Sequence, residues 1–226
     1  DYLLFFTNKG KAYRLKVHEI PEASRQAKGT AIVNLLYLNS GEQITAVIPV
    51  ETFDKPGYLF MATKEGIVKK TALDQFDTSR RDGIIAISLD EEDELIGVRH
   101  TQGNDEIILG TQKGMAIRFS EKDVRPMGRT ARGVKGITLE PGDKVVGLAY
   151  VKPDADLLVV TEHGYGKRTS LEEYKSQGRG GKGIITLRTT ERNGPLVGLM
   201  VVDPEDDIML ISMEGIIIRV PVKEVS

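Results

Sequence analysis

The 226-residue chain has no cysteine and no tryptophan, three histidines and 6 % aromatic residues. Without cysteine it holds no disulfide, no thiolate zinc site and no cysteine nucleophile, a composition compatible with a reducing cytoplasm. His18, His100 and His163 are too scattered to suggest a metal cage. No apolar run approaches the roughly 20 residues that span a bilayer, and no secretory leader opens the sequence. It begins at Asp1 without an initiator methionine, which points to a piece of something longer. An excess of one charge is also missing. The 31 Lys and Arg against 33 Asp and Glu leave −2, at first sight a poor fit to a nucleic-acid binder. No segment keeps a 3.6-residue period long enough for a major helix.

What is present is a repeat. A short apolar strand, a polar pair ending in glycine and a strand with basic residues recur at Leu3–Gly10, Leu59–Gly66, Ile107–Gly114, Leu157–Gly164 and Ile208–Gly215. The anchor glycines 10, 66, 114, 164 and 215 are 56, 48, 50 and 51 residues apart. A second glycine follows at 29, 83, 133 and 183, and an apolar segment closes each unit: Ile44–Ile48, Leu95–Val98, Val145–Leu148 and Leu196–Leu199. Runs of 4–7 Val, Ile and Leu residues between glycine turns read as strands, about four per unit. The Lys-Gly and Glu-Gly turns suit hairpins that need positive φ. Ser120–Asp123 and Thr169–Glu172 carry the spacing of a helix cap and predict single helical turns. Four-stranded units of about 50 residues imply an all-β, propeller-like architecture. The repeats run over about 1–53, 54–103, 104–154 and 155–204, with a partial unit at 205–226, in one domain.

The neutral total hides a segregation. Windows 9–29, 64–83, 113–136 and 162–183 hold 23 of the 31 basic residues but 11 of the 33 acidic ones, a net of +12, against −14 elsewhere. In a radially repeated fold, equivalent positions lie on one circle, so a basic window in each repeat predicts a basic arc. Such a track is the footprint of a protein that reads the nucleic-acid backbone. The alternative is that Lys and Arg merely flank strands as solvated gatekeepers.

Two loops are more pointed. Arg125–Gly136 spaces four cations among small residues without an acid, and Gln177–Gly183 places two cations among four glycines. Small residues let backbone N–H groups approach phosphates while Arg and Lys supply countercharge; a plain flexible turn is the other reading. Gly178–Gly183 lacks the Lys-Ser/Thr ending and the following helix of a P-loop. The acidic run Asp90–Glu94 reads as a solvated turn, because it lacks alternate-residue ligand spacing. His163 sits in a hairpin turn with no special role. No catalytic constellation emerges. Aromatics such as Tyr2, Phe5, Phe6, Tyr58 and Phe60 read as core filling rather than a base-stacking platform.

The stretches Asp1-Tyr-Leu-Leu-Phe-Phe-Thr-Asn-Lys-Gly10, Gly114-Met-Ala-Ile-Arg-Phe-Ser120 and Val124-Arg-Pro-Met-Gly-Arg-Thr-Ala-Arg-Gly133 closely resemble the DNA gyrase A C-terminal domain family, over essentially the whole chain. The resemblance implies a β-pinwheel, a propeller-like disc whose neighbouring blades exchange strands and whose basic rim wraps duplex DNA. It also implies that ATP-driven strand passage by the rest of a type II topoisomerase then introduces negative supercoils. The expected partners are double-stranded DNA, the remainder of the gyrase A polypeptide and the gyrase B polypeptide, in an A2B2 bacterial, cytoplasmic, nucleoid-associated enzyme. The fragment itself is expected to be monomeric, to stay off membranes and to need no cofactor or metal, since ATP and Mg²⁺ act elsewhere in the holoenzyme. The family carries a Gln-Arg-Arg-Gly-Gly-Lys/Arg-Gly box in its first blade. The nearest match here, Gln177–Gly183, has Gly178 where the first Arg belongs. It resembles the degenerate copy of a later blade, which places the first blade before Asp1. The family disc has six blades, so four repeats and a stub imply an incomplete ring or one closed by fewer blades.

The expected phosphate contacts are Arg25, Lys28, Arg80, Arg81, Arg125, Arg129, Arg132, Lys135, Arg179 and Lys182. Lys11, Arg14, Lys69, Lys70, Arg118, Lys167 and Arg168 would extend the track from the second strands. The alternatives are the corresponding C-terminal domain of topoisomerase IV and, from another class, a protein-docking propeller. The missing tryptophan and Gly-His…Trp-Asp pattern speak against the commonest docking family.

Overall fold

Alternating apolar residues on either side of each anchor glycine produce a hairpin with one buried face, and the computed structural model shows that hairpin five times. It describes residues 1–225; Ser226, the end of the expected partial repeat, lies outside the described residues. The first repeat supplies β1 (Tyr2–Thr7), β2 (Lys11–Lys16) and β3 (Ile44–Val50). The second supplies β4 (Tyr58–Thr63), β5 (Ile67–Ala72), β6 (Ile84–Ile85) and β7 (Leu95–Thr101). The third has β8 (Glu106–Thr111), β9 (Met115–Ser120), β10 (Val134–Lys135) and β11 (Val145–Tyr150). The fourth has β12 (Asp156–Thr161), β13 (Gly166–Ser170), β14 (Ile184–Ile185) and β15 (Leu196–Val202), and the fifth β16 (Asp207–Ile211) and β17 (Ile217–Pro221). The helical turns expected at the two capping sequences are short 3₁₀ helices, Glu121–Asp123 and Leu171–Glu173. Among the described residues no helix is long and apolar enough to cross a membrane.

The anchor turn is built identically each time. Gly10, Gly66, Gly114, Gly164 and Gly215 have φ of +75°, +84°, +85°, +81° and +81°, a region where a side chain clashes with its own backbone. Each glycine N–H donates at 3.0 Å to the carbonyl three residues earlier, on Thr7, Thr63, Thr111, Thr161 or Ser212. The hydroxyls of Thr7, Thr63, Thr111 and Ser212 then accept the next amide. The β1–β3, β4–β7, β8–β11 and β12–β15 ladders each shift register beside this turn, a bulge that aims the hairpin.

The four strands of a sheet do not come from one repeat. The sheet orders are β3-β1-β2-β6, β7-β4-β5-β10, β11-β8-β9-β14, β15-β12-β13 and β16-β17. Thus Ile84–Ile85 pairs with Lys11–Ala12, Val134–Lys135 with Ile67–Val68, and Ile184–Ile185 with Met115–Ala116. Each short outer strand is donated by the following repeat. The donated segment also bonds the anchor turn: Ala86, Gly136 and Thr186 N–H groups donate at 2.8 Å to the Gly10, Gly66 and Gly114 carbonyls.

The chain forms two compact units, residues 1–104 with 124–136, and residues 105–123 with 137–226. In the first, Leu4, Phe6, Ile48, Leu59, Met61, Phe76, Ile87, Leu95 and Val98 form a core. In the second, Ile108, Leu157, Val159, Leu171, Tyr174 and Leu196 do so. The donated segment 124–136 is counted with the repeat it completes rather than with its own.

A side chain on Gly114 would run into the Leu187 carbonyl of the donated segment, whereas one on Gly164, at nearly the same φ, meets nothing within 4 Å. Gly164→Ala therefore carries only the left-handed strain of about 1–2 kcal/mol. Gly114→Ala adds a clash of about 1–3 kcal/mol. Chemical denaturation of the two variants should separate them by that margin; equal losses would show that the seam is not closely packed.

Candidate nucleic-acid interface

The second strand of every repeat places a cation four residues after the anchor glycine: Arg14, Lys70, Arg118, Arg168 and Arg219. Antiparallel register puts this position diagonal to the residue eight before the glycine, on the same face. The pairing is kept throughout. Arg14 lies over the Tyr2 ring at 4.8 Å and Lys70 over the Tyr58 ring at 4.9 Å. Arg118 pairs with Glu106, Arg168 with Asp156 at 3.4 Å, and Arg219 with Asp207. Arg14 also bonds Asp77 at 2.5 Å, and Arg118 donates to the Leu171 and Tyr174 carbonyls at 2.9 and 3.2 Å. These cations hold strands together, through ring quadrupoles in two repeats and carboxylates in three.

That corrects the expected second-strand track. Lys69 has no exposed surface and Lys70 is 4 % exposed, so neither reaches a phosphate. Lys69 turns inward because donated strand β10 covers β5, and Lys70 because Tyr58 draws its ammonium over the ring. The side chains of Arg14, Arg118 and Arg168 are largely covered by the partners just named. Lys167 is exposed and donates to the Thr186 carbonyl at 3.2 Å. Lys11 is half-buried and reaches the Asp82 carbonyl at 3.1 Å. Tyr2, which packs against the first core as expected, and Tyr58 also serve as cation seats. The signal was in the sequence: the position eight before each anchor reads Tyr, Tyr, Glu, Asp, Asp.

The segments between the second strand and the donated strand carry the exposed cations. Arg80, Arg81, Arg125, Arg132 and Lys135 are exposed in the first unit, with Arg129 half-buried; Arg179 and Lys182 are exposed in the second. Arg25 and Lys28 lie in a fully exposed stretch, 21–30, outside any strand. In the first unit, segment 85–90 is stitched to 129–132. Ser88 donates from its N–H to Ala131 O at 3.3 Å and from Oγ to Thr130 O at 2.7 Å. Arg129 donates to Ile85 O at 2.9 Å, and Arg132 pairs with Asp90. The second unit repeats the pattern: Thr138 donates to Gly181 O at 2.8 Å and Gly180 O at 2.6 Å, and Lys182 pairs with Glu140 at 2.9 Å. The Lys182 hydrogen bond holds the Glu140 carboxyl below its ordinary range. In the first unit two cation-bearing segments therefore lie side by side in fixed register, and in the second the Arg179–Lys182 loop is held by Thr138 and Glu140.

The acidic turns have a different task. Asp93 is 6 % exposed and Asp143 5 %, contrary to a purely solvated run at 90–94. Asp93 Oδ1 accepts the Glu65 and Glu94 amides at 3.0 and 2.8 Å, and Asp143 Oδ1 the Lys113 and Lys144 amides at 2.9 and 2.8 Å. They cap the anchor turns, and their charge is spent on backbone N–H groups.

Repeated antiparallel sheets, three of them completed by a strand of the next repeat, define a strand-exchanging β-propeller or β-pinwheel, with exposed cations beside the exchange seams. A family model described as "DNA gyrase C-terminal domain, beta-propeller" matches residues 1–51, 57–102, 105–152, 155–203 and 206–226. The chain belongs to that family. It is 65 % identical over 224 residues to the A subunit of DNA gyrase from Halalkalibacterium halodurans and 54 % identical to that from Clostridium acetobutylicum. Both alignments cover 99 % of this chain and 27 % of the relative, so the chain spans about a quarter of their length. Among solved structures, the C-terminal domain of DNA topoisomerase IV superposes with a TM-score of 0.90 at 32 % identity, covering all of this chain and 71 % of that one. The DNA gyrase A C-terminal domain superposes at 0.85 and 29 %, covering 97 % and 71 %.

The Arg118–Glu106 pair makes a defined prediction. Burial alone would raise the Glu106 carboxyl, but hydrogen bonds from Arg118 and Ser176 and the Arg118 charge outweigh it and hold it below the ordinary value. Its stabilisation is thus present above about pH 4.3, the unfolded value, and is lost as pH falls through the lower folded value. Arg118→Met leaves a partly buried carboxylate unpaired and should cost about 1–3 kcal/mol at neutral pH, less than a fully buried pair because both groups keep some solvent. The gap to wild type should narrow below about pH 4.3. A gap that stays constant on acidification would mean the pair contributes only packing.

Proposed function

We propose that this chain is the non-catalytic DNA-binding and DNA-wrapping module of a DNA gyrase A polypeptide. In this reading it acts as one β-pinwheel domain of repeats 1–53, 54–103, 104–154, 155–204 and 205–226, bending duplex DNA so that the ATP-dependent type II topoisomerase introduces negative supercoils. The observation that carries it is the stitching of segment 85–90 to 129–132 and of 138–140 to 180–182, in or beside which stand Arg80, Arg81, Arg125, Arg129, Arg132 and Lys135 in one unit and Arg179 and Lys182 in the other. Cations held in register without a base-reading element contact phosphates and tolerate any sequence. Bending a duplex costs a few kcal/mol by elastic estimates, and added phosphate contacts offset it. Arg25, Lys28, Lys11 and Lys167 extend the contact set. The partners are duplex DNA, the remainder of the gyrase A polypeptide and the gyrase B polypeptide in an A2B2 enzyme of the bacterial cytoplasm; ATP and Mg²⁺ act on those other parts. Identity of 65 % to a gyrase A polypeptide over nearly the whole chain favours gyrase over topoisomerase IV.

Six to ten phosphate contacts should lower affinity by about 10³–10⁵ between roughly 50 and 200 mM salt. Arg129→Glu combined with Arg132→Glu should abolish most of the binding without unfolding the chain, since both side chains reach solvent. Binding that ignores salt, or survives the double reversal, would overturn the phosphate reading and leave a protein-docking propeller. A topology assay on the chain with closed circular DNA reads wrapping separately, as trapped supercoils.

A further inference from the structure

Lys69 lies three residues after its anchor glycine, where the other repeats have Tyr13, Ile117, Lys167 and Ile218. It is among the largest fully buried side chains, with no exposed surface. Its ammonium donates to the Ala86 carbonyl at 2.5 Å, to the Arg129 carbonyl and, at 3.2 Å, to the Ala131 carbonyl. Three N–H donors thus meet three acceptors, and the group is satisfied. The acceptors have two origins. Ala86 follows β6 in the segment that the second repeat gives to the first; Arg129 and Ala131 precede β10 in the segment that the third gives to the second.

We propose that Lys69 is a positioning residue for DNA binding: its ammonium clasps two consecutive donated segments and sets Arg129 in register with segment 85–90, although it never touches DNA. The inference rests on the phosphate reading above. Three features support it. Lys167, at the same repeat position, bonds the Thr186 carbonyl, the equivalent of Ala86, but no donated strand pairs with β13 and the side chain is exposed, so burial belongs to the seam and not to the repeat position. Ala131, one of the three acceptors, also accepts the Ser88 N–H, and Arg129 reaches back to Ile85. The clasp therefore sits under the residues that carry the stitching. Burial is also unfavourable in itself: it lowers the ammonium from its ordinary range to about 7, with the nearby Arg129 charge adding to the effect. A side chain that only filled space would do so better as an apolar residue, as Ile117 does in the third repeat.

The test uses Lys69→Met, which keeps the unbranched stem, on this chain with a mixed-sequence duplex at mildly acidic pH, where the ammonium keeps its proton. Each phosphate contact contributes about 0.9 to the slope of log affinity against log salt. Lys69→Met should reduce that slope by about one contact, and the affinity about tenfold, as if a surface cation had been lost. Arg129→Gln should do the same. The double variant should match Arg129→Gln alone, since a positioning residue has nothing left to position. Lys55→Met, at an exposed lysine paired with Glu51 and outside the contact set, is the control and should leave slope and affinity unchanged.

A Lys69→Met chain that folds and keeps the wild-type slope overturns the proposal, and so do additive effects in the double variant. Should Lys69→Met unfold, the wild-type chain still decides. Clasped Nζ protons exchange slowly and give a ¹⁵N–¹H signal whose assignment to Lys69 is checked by its reaction to Arg129→Gln; fast exchange like that of surface lysines overturns the clasp. Failure of the underlying reading looks different, because the wild-type chain would then show no salt-dependent DNA binding at all.

Discussion

The carbonyls of Gly10, Gly66 and Gly114 each accept an amide of the following repeat, and most of the structure depends on that exchange. A three-stranded antiparallel sheet has an open edge, with unpaired N–H and C=O groups that cost free energy if buried and invite aggregation if exposed. A two-residue strand from the next repeat pairs part of that edge at three sheets. The geometry needs a glycine at the anchor, because backbone approaches backbone there, and another at the start of the donated strand: Gly83 stands over the Tyr13 ring, Gly133 over Val68 O and Gly183 over Ala116 O. The two families of glycine are thus two sides of one contact.

The exchange also sorts the charges. Cations on the second strands are drawn into pairs with Tyr2, Tyr58, Glu106, Asp156 and Asp207, the first three of them in sheets that a donated strand completes. Cations on the segment itself, above the seam, stay in solvent. Acids divide similarly. Asp93 and Asp143 are buried as caps of anchor turns, whereas Asp90 and Glu140 sit at the surface and hold Arg132 and Lys182 in place. Exposed ion pairs of this kind add little stability, but they fix where a guanidinium or ammonium points. An Arg held by a carboxylate still has donors for a phosphate oxygen. DNA contact at these positions would therefore reorganise few side chains.

A good part of this was legible beforehand. Five repeats, their hairpins, their positive-φ turns and the basic windows follow from spacing and residue type, because a period of two and a glycine at a fixed offset are local constraints. Less legible was which basic residue served which purpose. Arg118 and Arg125 look alike in sequence, yet one bridges Glu106 to two backbone carbonyls and the other is exposed. Lys69 and Lys70 read as surface charge and are buried, Lys69 by the carbonyls of Ala86, Arg129 and Ala131, the last two about 60 residues away, and Lys70 over the Tyr58 ring. The diagonal pairing rule was readable in principle, since two columns of the repeat carry it, but it needs the register to give it meaning.

Sequence alone therefore determined the repeat, the strand class and the side of the repeat on which charge collects, since these depend on neighbours within a few residues. Tertiary structure decided the partner of each sheet edge and the fate of each cation. The reason is physical: whether a charge is solvated, seated on a ring, paired or clasped by carbonyls depends on what is laid over it. Here that cover is a segment donated by the next repeat, whose arrival no local pattern records.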